Sequence, residues 1–388
     1  MSFWRSLKGY RQFQSLPPER RHLVFYSEGR ADWPHLELLI RELAADGPPI
    51  TYLTSSSDDP GLASDLVTAT FIGAGMMRTI LFRTMAVGVL VMTMPDLGVF
   101  HLKKSAHPVH YVYVFHAINS AHMIYLKHSF DAYETILCCG PHHVRELREL
   151  EKLNGLKERR LIEHGYGRLD ALIAAYAPEV ESYRPSSPAR VLLAPTWSKN
   201  GIVELCAREL IDVLLCAGLN VTFRPHPMSR RQSTDKLNAI ASAFSSHPNF
   251  SFDNNIAAHA SLTASDIMIT DWSGIAFEYA FAFMKPILFI DVHPKVRNPD
   301  YREISTPPLE VALRAELGGL LAVGEIMDAP MHVKELVSAA GLHRDRLQSL
   351  RSQWVFNVGA SAQAGATAIR DLLQADAQFS LYGSTRKT

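Results

Sequence analysis

From His22 onward, short unbroken apolar runs alternate with stretches whose apolar positions recur every three to four residues. The unbroken runs have the length and β-branched content of strands buried on both faces. They fall at Leu23–Tyr26, Ile50–Thr54, Val67–Ile72, Val87–Met92, Val109–Phe115 and Thr135–Cys139. Helices fit the segments between them. The first is opened by Asp32 and Pro34 and lines up Leu36, Leu39, Ile40 and Leu43 on one face. Strand alternating with helix predicts a doubly wound parallel sheet.

The alternation stops at residues 176–190, YAPEVESYRPSSPAR, which are rich in Pro and Ser and lack periodicity, as a linker would. It then resumes. Strands are expected at Val191–Ala194, Asn220–Arg224 and Phe250–Phe252, with a helix over Ile202–Ala217 closed by Gly218. The segment from Ala264 to Asp291 holds the clearest unit: strand Ile267–Thr270, a polar turn, a helix from Ile275 to Met284, and strand Pro286–Asp291. Further helices are expected near 332–350 and 361–375. No internal repeat is visible. The chain therefore divides into an N-terminal helix (1–20), a Rossmann-like domain (21–178), a second Rossmann-like domain (189–360) and a C-terminal helix and tail (361–388). Two such halves are expected to face each other across a ligand cleft at the carboxyl ends of their strands.

Residues 1–14 stand apart. Phe3, Trp4, Leu7, Tyr10 and Phe13 follow helical spacing, and Arg5, Lys8 and Arg11 are the only charges. Such a helix can lie on an anionic membrane surface or pack on the protein's own flank. The 388 residues are enough for two cores, with 47% apolar and 20% charged residues. A formal net charge of zero gives no support for a nucleic-acid binder. The cysteines, Cys138, Cys139, Cys206 and Cys216, sit in apolar elements without zinc spacing, which fits buried thiols in a reducing compartment. The start carries no continuous apolar core, so no secretory signal is expected. The longest apolar run, Met85–Met94, is about half a membrane span and reads as a buried strand.

The turn after Ile267–Thr270 is the strongest chemical signal. Asp271, Ser273 and Gly274 form it, with Ser273 suited to cap the helix and Gly274 giving room for a ligand against the backbone. A helix N-terminus at the carboxyl edge of a parallel sheet attracts phosphate. Glu278, one turn on, can accept hydrogen bonds from ribose hydroxyls. Arg224-Pro225-His226-Pro227 leaves another strand on rigid backbone; Arg224 and His226 are expected to point apart, one toward the ligand and one bracing the loop. His226 can hydrogen-bond a phosphate or protonate a leaving group. His116 ends a strand where a catalytic base belongs. His107, His110, His122 and His128 match no zinc pattern and read as structural or surface residues. Thr196 and Lys199, in the loop Ala194–Lys199, can meet a phosphate or nucleobase. Gly165, Arg168 and Asp170 belong to a Gly-rich turn entering a helix. No acidic cluster demands a metal, and the part of a divalent ion is left open.

Together the strand ending in His116, Gly165–Asp170, Ala194–Lys199, Arg224–Pro227 and Thr270–Glu278 resemble the CDP-glycerol glycerophosphotransferase family, which includes teichoic acid polymerases and related capsule enzymes. The likeness spans roughly residues 110–290. It implies a GT-B-type α/β fold of two facing Rossmann-like domains. It implies transfer of a polyol phosphate from a CDP-polyol to an acceptor hydroxyl in cell-surface polymer biosynthesis, releasing CMP. The donor is then a CDP-polyol, with glycerol phosphate the expected group. The acceptor is lipid-linked or a polysaccharide, and the place of work is the inner face of the cell membrane. By this likeness His116 is the base, His226 contacts the pyrophosphate, and Ser273 with its neighbouring amides holds phosphate. The chain departs from the family pattern at Ala117, in place of Gly; at Trp272-Ser273-Gly274, in place of an aromatic and two serines; and at Glu278, where Asp is common.

Two other readings share the fold. Ser273, Gly274, Glu278 and Pro225-His226-Pro227 echo UDP-sugar 2-epimerases and other GT-B glycosyltransferases. A membrane-associated nucleotide-binding protein without turnover is the other.

Overall fold

A computed structural model describes residues 2–100, 102–254 and 259–384, with side chains from Phe3 to Ala375. The chain forms two compact units. The first holds the chain up to Ala171, then Asn298–Thr306, then the chain from Trp354 on. The second holds Leu172–Arg297 and Pro307–Gln353.

The first unit is built on seven parallel strands: β1 (Leu23–Ser27), β2 (Ile50–Thr54), β3 (Thr68–Phe71), β4 (Val89–Met92), β5 (His110–Val114), β6 (Thr135–Cys138) and β7 (Arg160–Glu163), in the order β3-β2-β1-β4-β5-β6-β7. The second has six parallel strands: β8 (Arg190–Leu193), β9 (Asn220–Phe223), β10 (Phe250–Phe252), β11 (Ile267–Thr270), β12 (Ile287–Asp291) and β13 (Gly318–Ala322), in the order β10-β9-β8-β11-β12-β13. Both orders reverse once, between β1 and β4 and between β8 and β11. A crevice opens at such a reversal because successive connections leave it in opposite directions.

The central strands are buried along their whole length, which is why they read as unbroken apolar runs. In the first unit Leu23, Phe25, Val91 and Val112 pack against Leu36, Leu39 and Leu43 of the helix Trp33–Asp46. Ala366, Ile369 and Leu373 of the C-terminal helix, Ser361–Ser384, pack into the same core. That helix belongs to the first unit and is not an appendage.

Four expectations need correction, and two strands lay outside them. The segment 176–190 is not all linker: the helix Gly167–Ser182 runs through Pro178. A helical proline forfeits one hydrogen bond, and the Ala-rich turns before it carry the helix on. The helix expected over Ile202–Ala217 breaks at Cys206, which has φ −149° and ψ 3°. Ser273 is not the cap; Gly274 holds that position without a side-chain cap bond. Cys216 is exposed, unlike the other three cysteines. The edge strands β7 and β13 were not foreseen, because their half-exposed sequences lack a continuous apolar run.

The helix Ser2–Gln14 packs through one face. Phe13 is fully buried, and a Cβ on Gly9 would lie 1.9 Å from the carbonyl oxygen of Phe71. Phe3 and Trp4 remain exposed, at 49% and 72%. Among the described residues, no helix is long and apolar enough to cross a membrane.

Candidate functional site

In the second unit the chemistry gathers where β8 and β11 part. Asp271, immediately after β11, is fully buried. Its Oδ1 accepts the N–H groups of Thr196 (2.7 Å) and Trp272 (2.8 Å), and its Oδ2 accepts that of Ile202 (3.2 Å). Burial pushes its pKa up, against the pull of these three amides and of Lys295. Thr270 adds a strut, donating from Oγ1 to the Ala194 carbonyl at 2.6 Å. Thr270 and Asp271 therefore fix the two loops on either side of the reversal and present no surface of their own.

The loop they hold passes from Ser273 into the helix Ile275–Phe283. Its first bonds run from the Ala276 amide to Ser273 O and from the Phe277 amide to Gly274 O. The amides ahead of Ala276 are outside the helical ladder, as at every helix start, and lie at the positive end of the dipole. Ser273 and Gly274 are half-buried there. Glu278 lies in the first turn and is 9% exposed. Trp272 is locked by its Nε1–H bond to Val292 O at 2.9 Å and by the Arg314 guanidinium 4.0 Å from its ring centroid.

Arg224 and His226 engage different partners. Strand β9 ends at Phe223, so strand alternation no longer governs them. Arg224 is buried and donates from Nη1 to Ser261 Oγ at 2.8 Å, with Asp253 at 3.9 Å from Nε; it braces the loop. His226 Nδ1 accepts the Met228 amide at 3.1 Å, which places the ring proton on Nε2. Burial first, and the charge of Lys295 second, lower its pKa to about 4. At neutral pH His226 is thus a neutral ring whose Nε2–H can donate to a phosphate oxygen. It is not a store of positive charge. Its ring lies 6.4 Å from that of Trp197. Lys199 is exposed and borders a cavity of about 410 Å³ together with Trp197, Glu204, Ser229 and Ser233. A larger cavity, about 650 Å³, shares Val203 and Glu204 with it and extends around Leu205, Asp212 and Phe244.

In the first unit His116 follows β5. Its Nδ1 lies 3.1 Å from the Thr93 carbonyl and 3.3 Å from Tyr113 OH. The carbonyl can only accept, so Nδ1 carries the proton and Nε2 keeps its lone pair, the form a general base needs. Tyr166 OH donates to the His116 carbonyl at 3.0 Å, and Tyr125 sits edge-on to the ring at 5.8 Å. Gly165 has φ +101°, and a Cβ there would lie 2.4 Å from Phe356 O, so the turn requires glycine. Asp170 is buried and accepts the amides of Gly359 (2.7 Å) and Ser361 (3.0 Å). It anchors the start of the C-terminal helix. Arg168, by contrast, bears electrostatically on His35.

His35 and Lys295 are the residues that motif reading missed. His35 stacks on Tyr166 at 5.6 Å and lies 6.1 Å from His116, centroid to centroid. Burial, His116 and Arg168 all hold its pKa low. The available signal was position: it lies in the first turn of the helix after β1, at the reversal of the sheet. Among the described residues, no group of three or more His, Cys, Asp or Glu is arranged to hold a metal ion.

Residues 142–294 match the family model described as CDP-glycerol:poly(glycerophosphate) glycerophosphotransferase. The matched segment takes in every candidate of the second unit named in the motifs, and Gly165, Arg168 and Asp170; His116 and Lys295 lie outside it. No curated protein matches the chain by sequence. Among solved structures, the wall teichoic acid polymerase TagF soaked with CDPG is similar at 15% identity, with a TM-score of 0.59 over 98% of this chain and 95% of that one. The UDP-GlcNAc 2-epimerase of Methanocaldococcus jannaschii is similar at 12% identity and a TM-score of 0.55, over 90% of this chain and 99% of that one. The glycosyltransferase of kitacinnamycin gives 15% identity and a TM-score of 0.53, over 92% and 100%. At these identities the likenesses establish a shared fold, the GT-B class of two parallel-sheet α/β domains.

Proposed function

We propose that this chain, whose residues 142–294 match the model of the CDP-glycerol:poly(glycerophosphate) glycerophosphotransferase family, transfers a polyol phosphate from a CDP-polyol to an acceptor hydroxyl and releases CMP. The observation that carries this reading is that family match, which includes both Arg224–Pro227 and Thr270–Glu278. Glycerol phosphate is the group expected to move, onto a polymer of the cell envelope.

In this reading His116 Nε2 takes the acceptor proton. The Nε2–H of His226, Ser273 and the amides leading into the helix Ile275–Phe283 meet the charge on the phosphates. The neutral state of His226 suits donation of a hydrogen bond. A departing nucleotide monophosphate needs no acid to leave at neutral pH. Thr196, Thr270 and Asp271 keep the loops in place, and Glu278 faces the ribose.

The test compares binding of CDP-glycerol, CDP-ribitol and UDP-GlcNAc by calorimetry and follows nucleotide release. Preference for a CDP-polyol with CMP release supports the reading. Preference for UDP-GlcNAc, with UDP release or an epimerised sugar, replaces it with sugar transfer or epimerisation. CDP-polyol binding with no CMP release across lipid-linked and polysaccharide acceptors leaves a binding protein.

Residence at the inner membrane face belongs to the same proposal. The N-terminal helix keeps Phe3 and Trp4 exposed beside the exposed cations Arg5, Lys8 and Arg11. Phe13 and Gly9 are part of the first unit's packing, so point changes are the sound test rather than deletion. Phe3→Glu with Trp4→Glu is expected to lose flotation with anionic vesicles while keeping its circular dichroism. Unchanged flotation removes the membrane argument.

A further inference from the structure

Lys295 lies just past the matched segment, in the loop after β12. Its Nζ donates to Thr196 Oγ1 at 3.1 Å and sits 4.3 Å from the centroid of the Trp197 ring. It is half-buried and forms no ion pair among the described residues. A half-buried ammonium without a carboxylate in contact is costly unless an anion arrives to meet it. The charged and titratable groups that face it are Asp271, Arg297 and His226. Asp271 is already occupied by three backbone amides. Trp197 is shared: Lys295 lies against it, and His226 lies on it at 6.4 Å. His226 and the ammonium thus both lie near the Trp197 ring in the loop after β8, and among the described residues no other cation of the second unit bears on His226.

We infer that Lys295 is a catalytic residue that contacts the donor's phosphate and neutralises the charge on the departing nucleotide. This rests on the function proposed above. In the step, the acceptor oxygen bonds to the β-phosphorus as the bond from that phosphorus to the bridging oxygen breaks. The electron pair stays on the bridging oxygen, which becomes a phosphate oxygen of CMP. The acceptor proton goes to His116. Lys295 moves no proton; its fixed charge is worth most where water is excluded. Burial lowers its pKa to about 8, so the charge it supplies is lost within an accessible pH range.

The test measures CDP and CDP-glycerol binding and CMP release for wild type, Lys295→Met and Lys295→Arg. Lys295→Met is expected to lower kcat/KM by roughly 10²–10³-fold, and to weaken CDP binding about tenfold with its thermal midpoint unchanged. Wild-type kcat/KM should fall as pH rises through about 8, the ammonium then losing its proton. Lys295→Arg keeps its charge and should hold activity to higher pH. A structural role would move the midpoint and leave the high-pH limb in both proteins. Wild type that binds CDP-glycerol no better than Lys295→Met overturns the inference alone. Wild type that binds no CDP compound overturns the proposed function, and this role with it.

Discussion

Removing the Asp271 side chain isolates what the buried carboxylate does. Asp271→Ala leaves the amides of Thr196, Ile202 and Trp272 without their acceptor in a site closed to water. Each bond to a charged group contributes about 1.5–3 kcal/mol net, so a naive sum over three is about 4.5–9 kcal/mol. That sum overshoots, because the carboxylate itself is costly to bury, as its raised pKa shows. Its folded pKa lies above the unfolded value, so its contribution is full below the unfolded value near 3.8 and shrinks as pH rises through the folded one. At neutral pH a loss of about 3–4 kcal/mol is expected for Asp271→Ala. Asp271→Asn keeps one acceptor oxygen, on Oδ1, but turns an NH2 toward the Ile202 amide. It sheds the buried charge and should cost about 1–2 kcal/mol. The assay is urea unfolding followed by tryptophan fluorescence, with hydrogen exchange read at the three amides. Loss of protection at Thr196 and Ile202 should accompany the fall in midpoint. An Asp271→Ala protein within about 1 kcal/mol of wild type, or one with both amides still protected, refutes the strut. It would point to a group that serves the ligand directly.

His116→Ala should cut CMP release by about 10²–10⁴-fold while calorimetry still shows CDP-glycerol binding; equal loss of both means a structural role. Gly9→Ala drives a Cβ to 1.9 Å from the Phe71 carbonyl, so the N-terminal helix should lift away at a cost of about 1–3 kcal/mol. Limited proteolysis at Arg5, Lys8 and Arg11 checks this, and an unaltered digestion pattern counts against tight packing. Burial lowers the pKa of His143 to about 3 and that of His164 to about 4, so both are neutral when folded. The unfolded chain takes up their protons below about pH 6.5, so their contribution is complete above that value and is lost as pH falls toward 4 and 3. The thermal midpoint of the first unit should fall steeply over that window, and a flat profile would mean the rings are hydrated.

Much of the fold was legible because burial on both faces writes strands as unbroken runs. Ile50–Thr54, Phe250–Phe252 and Ile267–Thr270 were read to the residue. Arg160–Glu163 was not, since an edge strand shares its faces with solvent and carries a mixed sequence. Cys206 breaks its helix at a point where no Gly or Pro announces it. In the candidate site, residues inside motifs could be found, and what those motifs do could be only partly told. Thr270 and Asp271 looked like ligand contacts and are struts; Asp170 read as part of a Gly-rich turn entering a helix and fastens a distant segment. His35 carries no motif, because sheet topology brings it to its place from a helix far from the signals that sequence displays, and Lys295 sits just past the clearest of those signals in a loop that has no motif residue.

The return of the C-terminal helix to the first unit has a bearing on how the protein is made. Ala366, Ile369 and Leu373 complete the core that begins at Leu23. A ribosome finishing Ala171 has still to add about two hundred residues before Leu373 emerges, a delay of roughly 10–40 s. During that interval the nascent first unit carries an open apolar face over Leu36, Leu39 and Leu43, while the whole of the second unit is available to fold. The unit begun first is therefore the one finished last. Truncations or ribosome stalling near the 3′ end of the message should be felt at His116's end of the chain, and a chaperone that captures nascent chains has its natural target there.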